Sequence, residues 1–125
     1  MKYKNFPMVP RVIFGRGSFN QMNEIIAPKR LLNQAPFIFI IDDFFIDSQK
    51  IISNINLYGS DEIIYVSAQE EPKTTQIDEL VKFIKTSVSE QPAGIIGIGG
   101  GTVIDISKAV AIMLTNNGKT CDYQG

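Results

Sequence analysis

Apolar positions along this chain change their spacing in a regular way, and each change marks an element. Residues 9–15 read as a short strand closed by the turn Gly15-Arg16-Gly17. Ser18 stands as an N-cap for a helix through about Ile26, stopped at Pro28, whose ring removes a backbone donor. Residues 36–41 form an unbroken apolar run, the mark of a strand covered on both faces. Helical spacing returns over residues 44–56, with Phe45, Ile52 and Ile55 among the apolar positions, and residues 62–66 give another short buried strand. The loop 70–75 leads into an amphipathic helix over 76–88, where Ile77, Leu80, Val81, Ile84 and Val88 fall on one side. Residues 93–98 are a fourth strand. Residues 103–114 are almost wholly apolar, which predicts a helix buried on several sides and ended by Asn116-Asn117-Gly118.

Strands and helices that alternate in this way predict an α/β fold, a Rossmann-like doubly wound sheet, mostly parallel, with helices on both faces. Residues 1–125 read as one domain. Ligands of such folds bind at the carboxyl ends of the strands, so candidate chemistry is sought there.

Composition narrows this picture. A 44% hydrophobic content with a net charge of −1 suits a packed soluble domain and leaves no basic stripe for nucleic acid. The apolar runs are too short to span a bilayer, and no 7–15-residue apolar run follows the charged start, so neither a membrane partner nor a leader is expected and the cytoplasm is the default. Cys121 is a lone thiol, without a disulfide partner or the companions of a zinc site. Histidine is absent, which removes Ser–His–Asp catalysis, His-ligated metals and His general bases together. No catalytic residue and no metal ligand is therefore assigned within the chain.

The informative segment is Gly97-Ile98-Gly99-Gly100-Gly101-Thr102-Val103-Ile104-Asp105. Gly99, Gly100 and Gly101 join a buried strand to a buried helix. Glycine permits a sharp turn and lets a ligand approach without a Cβ in the way. The helix that follows offers free N–H groups and the positive end of its dipole, which suits a phosphate or pyrophosphate. Thr102 is placed to bond an N–H of the first turn, and Asp105, three residues on, resembles the acidic partner of a capping box. The plain alternative is a tight turn without a ligand. The loop is neither the dinucleotide fingerprint, because Thr102 stands where its last glycine belongs, nor a Walker A loop, because no Gly-Lys-Ser/Thr closes it. The residues alone point to a phosphorylated ligand of the nucleotide kind.

Asp42 ends the apolar run 36–41. A carboxylate at that place can accept hydrogen bonds from a ribose 2′-OH and repel a 2′-phosphate, which favours NAD over NADP. It can equally cap the helix that begins at Phe44. Thr74 and Thr75 either touch the nucleotide or cap the helix at Gln76. Lys108, one turn past the glycine loop, either approaches a phosphate or is a solvated helix residue. The group Phe37, Phe39, Phe44 and Phe45 reads as core.

Taken together, these residues resemble the group III, iron-containing alcohol dehydrogenases. The likeness runs through Pro10-Arg11-Val12-Ile13-Phe14-Gly15, Gly17-Ser18-Phe19, Ile40-Ile41-Asp42, the Glu71-Pro72 loop as far as Thr75, and the tail Asp122-Tyr123-Gln124-Gly125. The family signature GGGSxxDxAK appears as Gly99-Gly100-Gly101-Thr102-Val103-Ile104-Asp105-Ile106-Ser107-Lys108, with Thr for Ser and Ser for Ala. The resemblance implies NAD(P) with its pyrophosphate over Gly99–Gly101, Asp42 as the adenosine-ribose selector, and Asp105 near the nicotinamide side. It also implies that a Thr/Gly/Ser-rich nucleotide loop and an all-helical domain follow. That domain would supply an Asp and His residues to a divalent metal, iron or zinc, which polarises a primary alcohol for hydride transfer.

On this reading the chain is incomplete at its C-terminal side, inactive alone, and a weak cofactor binder alone. A homodimer is possible, since the first strand of the family can pair across a dimer. The Glu-Pro-Lys-Thr-Thr loop, the glycine signature and Asp-Tyr-Gln-Gly are also similar to the branch that holds 3-deoxy-D-manno-octulosonate 8-oxidases, which serve lipopolysaccharide synthesis. Two other readings stay open: an enzyme of the dehydroquinate-synthase type that uses NAD transiently, and a non-catalytic binding module.

Overall fold

Three short apolar strands meet side by side in the computed structural model, which describes residues 17–32 and 34–115. These are β1 (Phe37–Asp42), β2 (Glu62–Val66) and β3 (Gly94–Ile98), in the order β2-β1-β3. Both pairings are parallel, with Ile40 opposite Ile64 on one side and Ile41 opposite Ile98 on the other. β1 is the centre, and Phe37 to Ile41 are buried, as an unbroken apolar run requires. The strand expected over residues 9–15, the stop at 116–118, Cys121 and the tail at 122–125 lie outside the described residues.

The strand alternation sorts side chains to two faces. Ile38 and Ile40 pack under α3 (Thr74–Ser87) and α4 (Gly101–Thr115), with Ile77, Val81 and Ile84 from the first and Val103, Ile106 and Val110 from the second. Phe37, Phe39 and Ile41 pack with Ile26 of α1 (Met22–Leu32) and with Ile55, just past α2 (Gln49–Ile52). Helices therefore cover both faces of a parallel sheet, as the alternation of elements predicted.

Several local expectations are corrected. Ser18 is not an N-cap: Gly17 takes that place, at φ 82°, before a 3-10 turn over Ser18–Gln21. A left-handed backbone position suits glycine, and the helix proper begins only at Met22. It does not stop at Pro28 but runs through it to Leu32. The helix expected over 44–56 is instead a 3-10 turn at Asp43–Phe45 and the four-residue α2, capped by Ser48, whose Oγ accepts from the Ile51 N–H. α4 is buried along one broad side and not on several. It buries Val103, Ile106, Ser107, Val110, Met113 and Leu114 and exposes Ile104 and Ile112.

At the starting end of the strands one ion pair ties three segments together. Asp61 accepts from both Arg30 guanidinium nitrogens, at 2.6 and 3.3 Å, and from the Phe37 and Tyr58 N–H groups, at 2.9 and 3.1 Å. Arg30 also lies over the rings of Phe37 and Tyr58, 4.9 and 4.6 Å from their centroids. This anchor holds the end of α1 beyond Pro28, although the proline removes a helix hydrogen bond. Among the described residues no helix is long and apolar enough to cross a membrane.

Candidate functional site

β1 is followed by a turn and α2 on one face, and β3 by α4 on the other. The two outgoing connections diverge, so a crevice opens at the carboxyl ends of β1 and β3. The winding of a doubly wound sheet reverses at such a point, and ligands of such sheets bind there.

Asp42 and the glycine loop meet at this crevice. A Cβ on Gly99 would lie 3.2 Å from the Asp42 Cβ and 2.8 Å from Val103 Cγ2, so the loop can pass this close to the strand end only as glycine. Gly100 and Gly101 have a different surrounding: a Cβ on either would meet no heavy atom within 4 Å. Packing therefore explains Gly99, while Gly100 and Gly101 face an open cradle. The Ile104 N–H reaches the Gly100 carbonyl at 3.1 Å, so α4 starts within the glycine run. The N–H groups of Gly101, Thr102 and Val103 come before the first intrahelical bond and point out of the helix end. Together they make a backbone donor set at a positive dipole end, fitted to a phosphate.

Gly97 lies within β3, as the strand read over 93–98 has it, and serves packing. A Cβ there would clash with the Ser107 side chain of α4. Ser107 is buried, and its Oγ donates to the Val103 carbonyl at 2.8 Å, so its hydroxyl is satisfied within the helix. The signal for this role was the i, i+4 placement of Val103 and Ser107 on the buried side of α4.

The two readings of Asp42 meet in one geometry. Its Oδ1 accepts from the Phe44 N–H at 3.0 Å, so it does cap the turn Asp43–Phe45. The same residue stands half-buried against Gly99, at the mouth of the crevice. The capping box proposed for Thr102 and Asp105 is not formed. Thr102 is already the second residue of α4 and cannot sit at the N-cap, and Asp105 is exposed further along the helix. Thr74 and Thr75 do not cap a helix at Gln76 either. They are the first two residues of α3, and Lys73 precedes them without a side-chain cap bond. α3 packs beside α4 and starts at the same end of the sheet, so both threonines border the crevice side without meeting Gly99 as Asp42 does.

Two surface hollows have linings that include none of Asp42, Gly99, Gly100 and Gly101. One, of about 170 Å³, is lined by Val88, Pro92 and Leu114 among others and sits at the starting end of β3. The other, of about 260 Å³, runs along β3 and α4 past Ile95, Gly97, Ile104, Ser107, Lys108 and Ala111. Lys108 is exposed on its rim, as the reading of a solvated helix residue has it.

The fold is thus that of a doubly wound α/β protein with a crevice at its reversal point, and comparison with known proteins narrows the class. Residues 9–125 match the family model "Iron-containing alcohol dehydrogenase", and the chain belongs to that family. It is 32% identical over 129 residues to the NAD-dependent methanol dehydrogenase of Bacillus methanolicus, covering 97% of this chain and 31% of that protein. It is 28% identical over 124 residues to alcohol dehydrogenase 4 of Saccharomyces cerevisiae (strain YJM789), covering 96% of this chain and 31% of that one. The chain therefore spans just under a third of the length of these relatives.

Its fold is shared with two solved structures. One is sulfoacetaldehyde reductase from Bifidobacterium kashiwanohense in complex with NAD+, at TM-score 0.69 and 21% identity, covering 89% of this chain and 28% of that one. The other is NADH-dependent butanol dehydrogenase A from Thermotoga maritima, at TM-score 0.66 and 23% identity, covering 95% and 30%.

Proposed function

We propose that this chain is the nucleotide-binding portion of an NAD-linked, metal-dependent alcohol dehydrogenase that oxidises a primary alcohol to an aldehyde. The observation that carries the reading is the meeting of Asp42 and Gly99 at the sheet's reversal point, beside the open cradle of Gly100 and Gly101. The family and the NAD-linked relatives support it, and they do not favour the dehydroquinate-synthase alternative.

In this arrangement the free N–H groups of Gly101, Thr102 and Val103 hold the pyrophosphate, and the Thr102 hydroxyl adds a donor beside them. One Asp42 oxygen stays on the Phe44 N–H while the other accepts from the adenosine ribose hydroxyls. The negative charge there repels a 2′-phosphate, which selects NAD. Thr74 and Thr75 border the nucleotide from α3, and Asp105 lies toward its nicotinamide side. Bound NAD supplies the hydride acceptor. The chain's own residues orient it and hold its charged centre against a helix end.

The residues described do not fit the family's metal. Among them no group of three or more His, Cys, Asp and Glu could hold an ion, and the sequence has no histidine. We place the metal in a helical domain outside this segment and route no step through it here. Residues 1–125 are then an NAD-binding domain incomplete on its C-terminal side, without catalytic or metal-ligating residues of its own, from a cytoplasmic enzyme for which a homodimer is one possible assembly.

The test is to express the full-length gene product and follow NADH formation with iron or zinc across a panel of primary alcohols. That panel includes 3-deoxy-D-manno-octulosonate, which the resemblance of motifs alone brings in. NADH that appears only with metal and one alcohol class bears the reading out and names the substrate. A purified, folded product that neither binds NAD nor turns over any alcohol overturns it.

A further inference from the structure

Phe44 is a large apolar side chain that the described fold does not bury. It is 81% exposed, two residues past Asp42, and it departs from the core role its sequence context predicted. Its position is nevertheless fixed on two sides. Its N–H donates to Asp42 Oδ1 at 3.0 Å. Its ring stands edge-on to Phe45, with centroids 5.3 Å apart and planes at 85°, and Phe45 packs into the core with Phe39 and Ile41. A ring held this way and left exposed is a platform for a flat partner.

The covalent structure of a dinucleotide says which part can reach it. A ribose whose hydroxyls bond Asp42 carries its 5′ carbon, and so the pyrophosphate, on one side and the base on C1′ on the other. The phosphate side belongs to the loop Gly99–Gly101 that follows β3, where a Cβ on Gly99 would come within 3.2 Å of the Asp42 Cβ. The base then leaves Asp42 on the side away from β3, where the connection after β1 places Phe44 two residues from the carboxylate. We propose that Phe44 is the stacking surface for the adenine ring of the bound dinucleotide, a specificity-determining residue that acts beside Asp42. The inference rests on the cofactor reading above and adds to it the recognition of the base.

The test is calorimetric titration of the full-length gene product with NAD+ and, separately, with ADP-ribose, which keeps the adenine half and lacks nicotinamide. Wild type is compared with Phe44→Ala and Phe44→Tyr, and thermal midpoints and oligomeric state are measured alongside. Base–aromatic stacking of ordinary strength predicts that Phe44→Ala weakens both ligands about tenfold and by the same factor. Phe44→Tyr stays within about twofold, since its π face remains. Thermal midpoints hold, because the ring is exposed.

A wild type that binds NAD+ while Phe44→Ala binds it equally well overturns this inference and leaves the cofactor reading standing. So does a loss for NAD+ that ADP-ribose does not share, which puts the ring elsewhere on the ligand. A change of oligomeric state at unchanged affinity assigns the ring to a subunit contact and likewise overturns it. A wild type that binds neither ligand removes the cofactor reading and this inference together.

Discussion

Four residues set the chemistry and the packing of the ligand end: Asp42, Gly97, Gly99 and Ser107. Gly97 and Ser107 bring α4 against β3, so Gly97→Ala forces strand and helix apart at a buried contact. An overpacked site of this kind costs roughly 1–3 kcal/mol, seen as a lower urea midpoint. Ser107→Ala removes a hydroxyl whose only recorded bond is to its own helix, and stability is expected to stay within about 1 kcal/mol. Asp42→Asn keeps an oxygen for the Phe44 N–H and removes the charge. The expected result is a preference for NAD over NADP reduced by roughly tenfold in the ratio of kcat/KM values, with the thermal midpoint held. An unchanged ratio leaves Asp42 as a cap alone.

At the scale of elements, continuous apolar runs made the strands legible, because burial on both faces leaves few other ways to satisfy such a run. Residues 62–66 came out with the bounds read from sequence, and β1 and β3 within a residue of theirs. Helix ends were less legible because they depend on partners distant in sequence. The stop at Pro28 failed because Arg30 reaches Asp61, thirty-one residues away, and fastens the turn beyond the proline. Pro28→Ala restores the missing donor on an exposed helix position and is expected to stabilise the fold by about 1 kcal/mol or more, measured by denaturant titration. The single helix expected over 44–56 failed for the opposite reason: its apolar spacing reflects a 3-10 turn, the short α2 and the loop after it, which all send side chains to the same core. The glycine run was legible as the turn from β3 into α4, and its ligand role is the proposal made above. That Gly97 serves packing and Phe44 stands exposed was not legible, since the first follows from the packing of α4 on β3 and the second from the turn that Asp42 caps.

On the scale of the whole molecule, the Arg30–Asp61 anchor governs acid stability. Burial pushes the Asp61 carboxyl up, but the bonds from Arg30, Phe37 and Tyr58 and the guanidinium charge outweigh it and hold it below the ordinary carboxylate value. A depressed carboxyl stabilises the fold fully above its unfolded value, about 3.9, and that stability is lost as pH falls through the lower folded value. Asp61→Asn is expected to flatten the fall of the thermal midpoint below about pH 4. Asp61→Ala strips the acceptor from two backbone N–H groups and a guanidinium, at a cost of roughly 3 kcal/mol near neutral pH. A wild type whose midpoint is no more acid-sensitive than that of Asp61→Asn removes this role from the pair.

The anchor sits where the three strands begin, and the crevice lies where they end, roughly 17 Å along β1. Durability and recognition are thus settled at opposite rims of one small sheet. Lineages of such a protein can exchange residues around Asp42 and Phe44 for a different ligand preference and keep the same resistance to acid. Others can toughen the rim at Arg30 and Asp61 for a harsher habitat, with the ligand preference untouched.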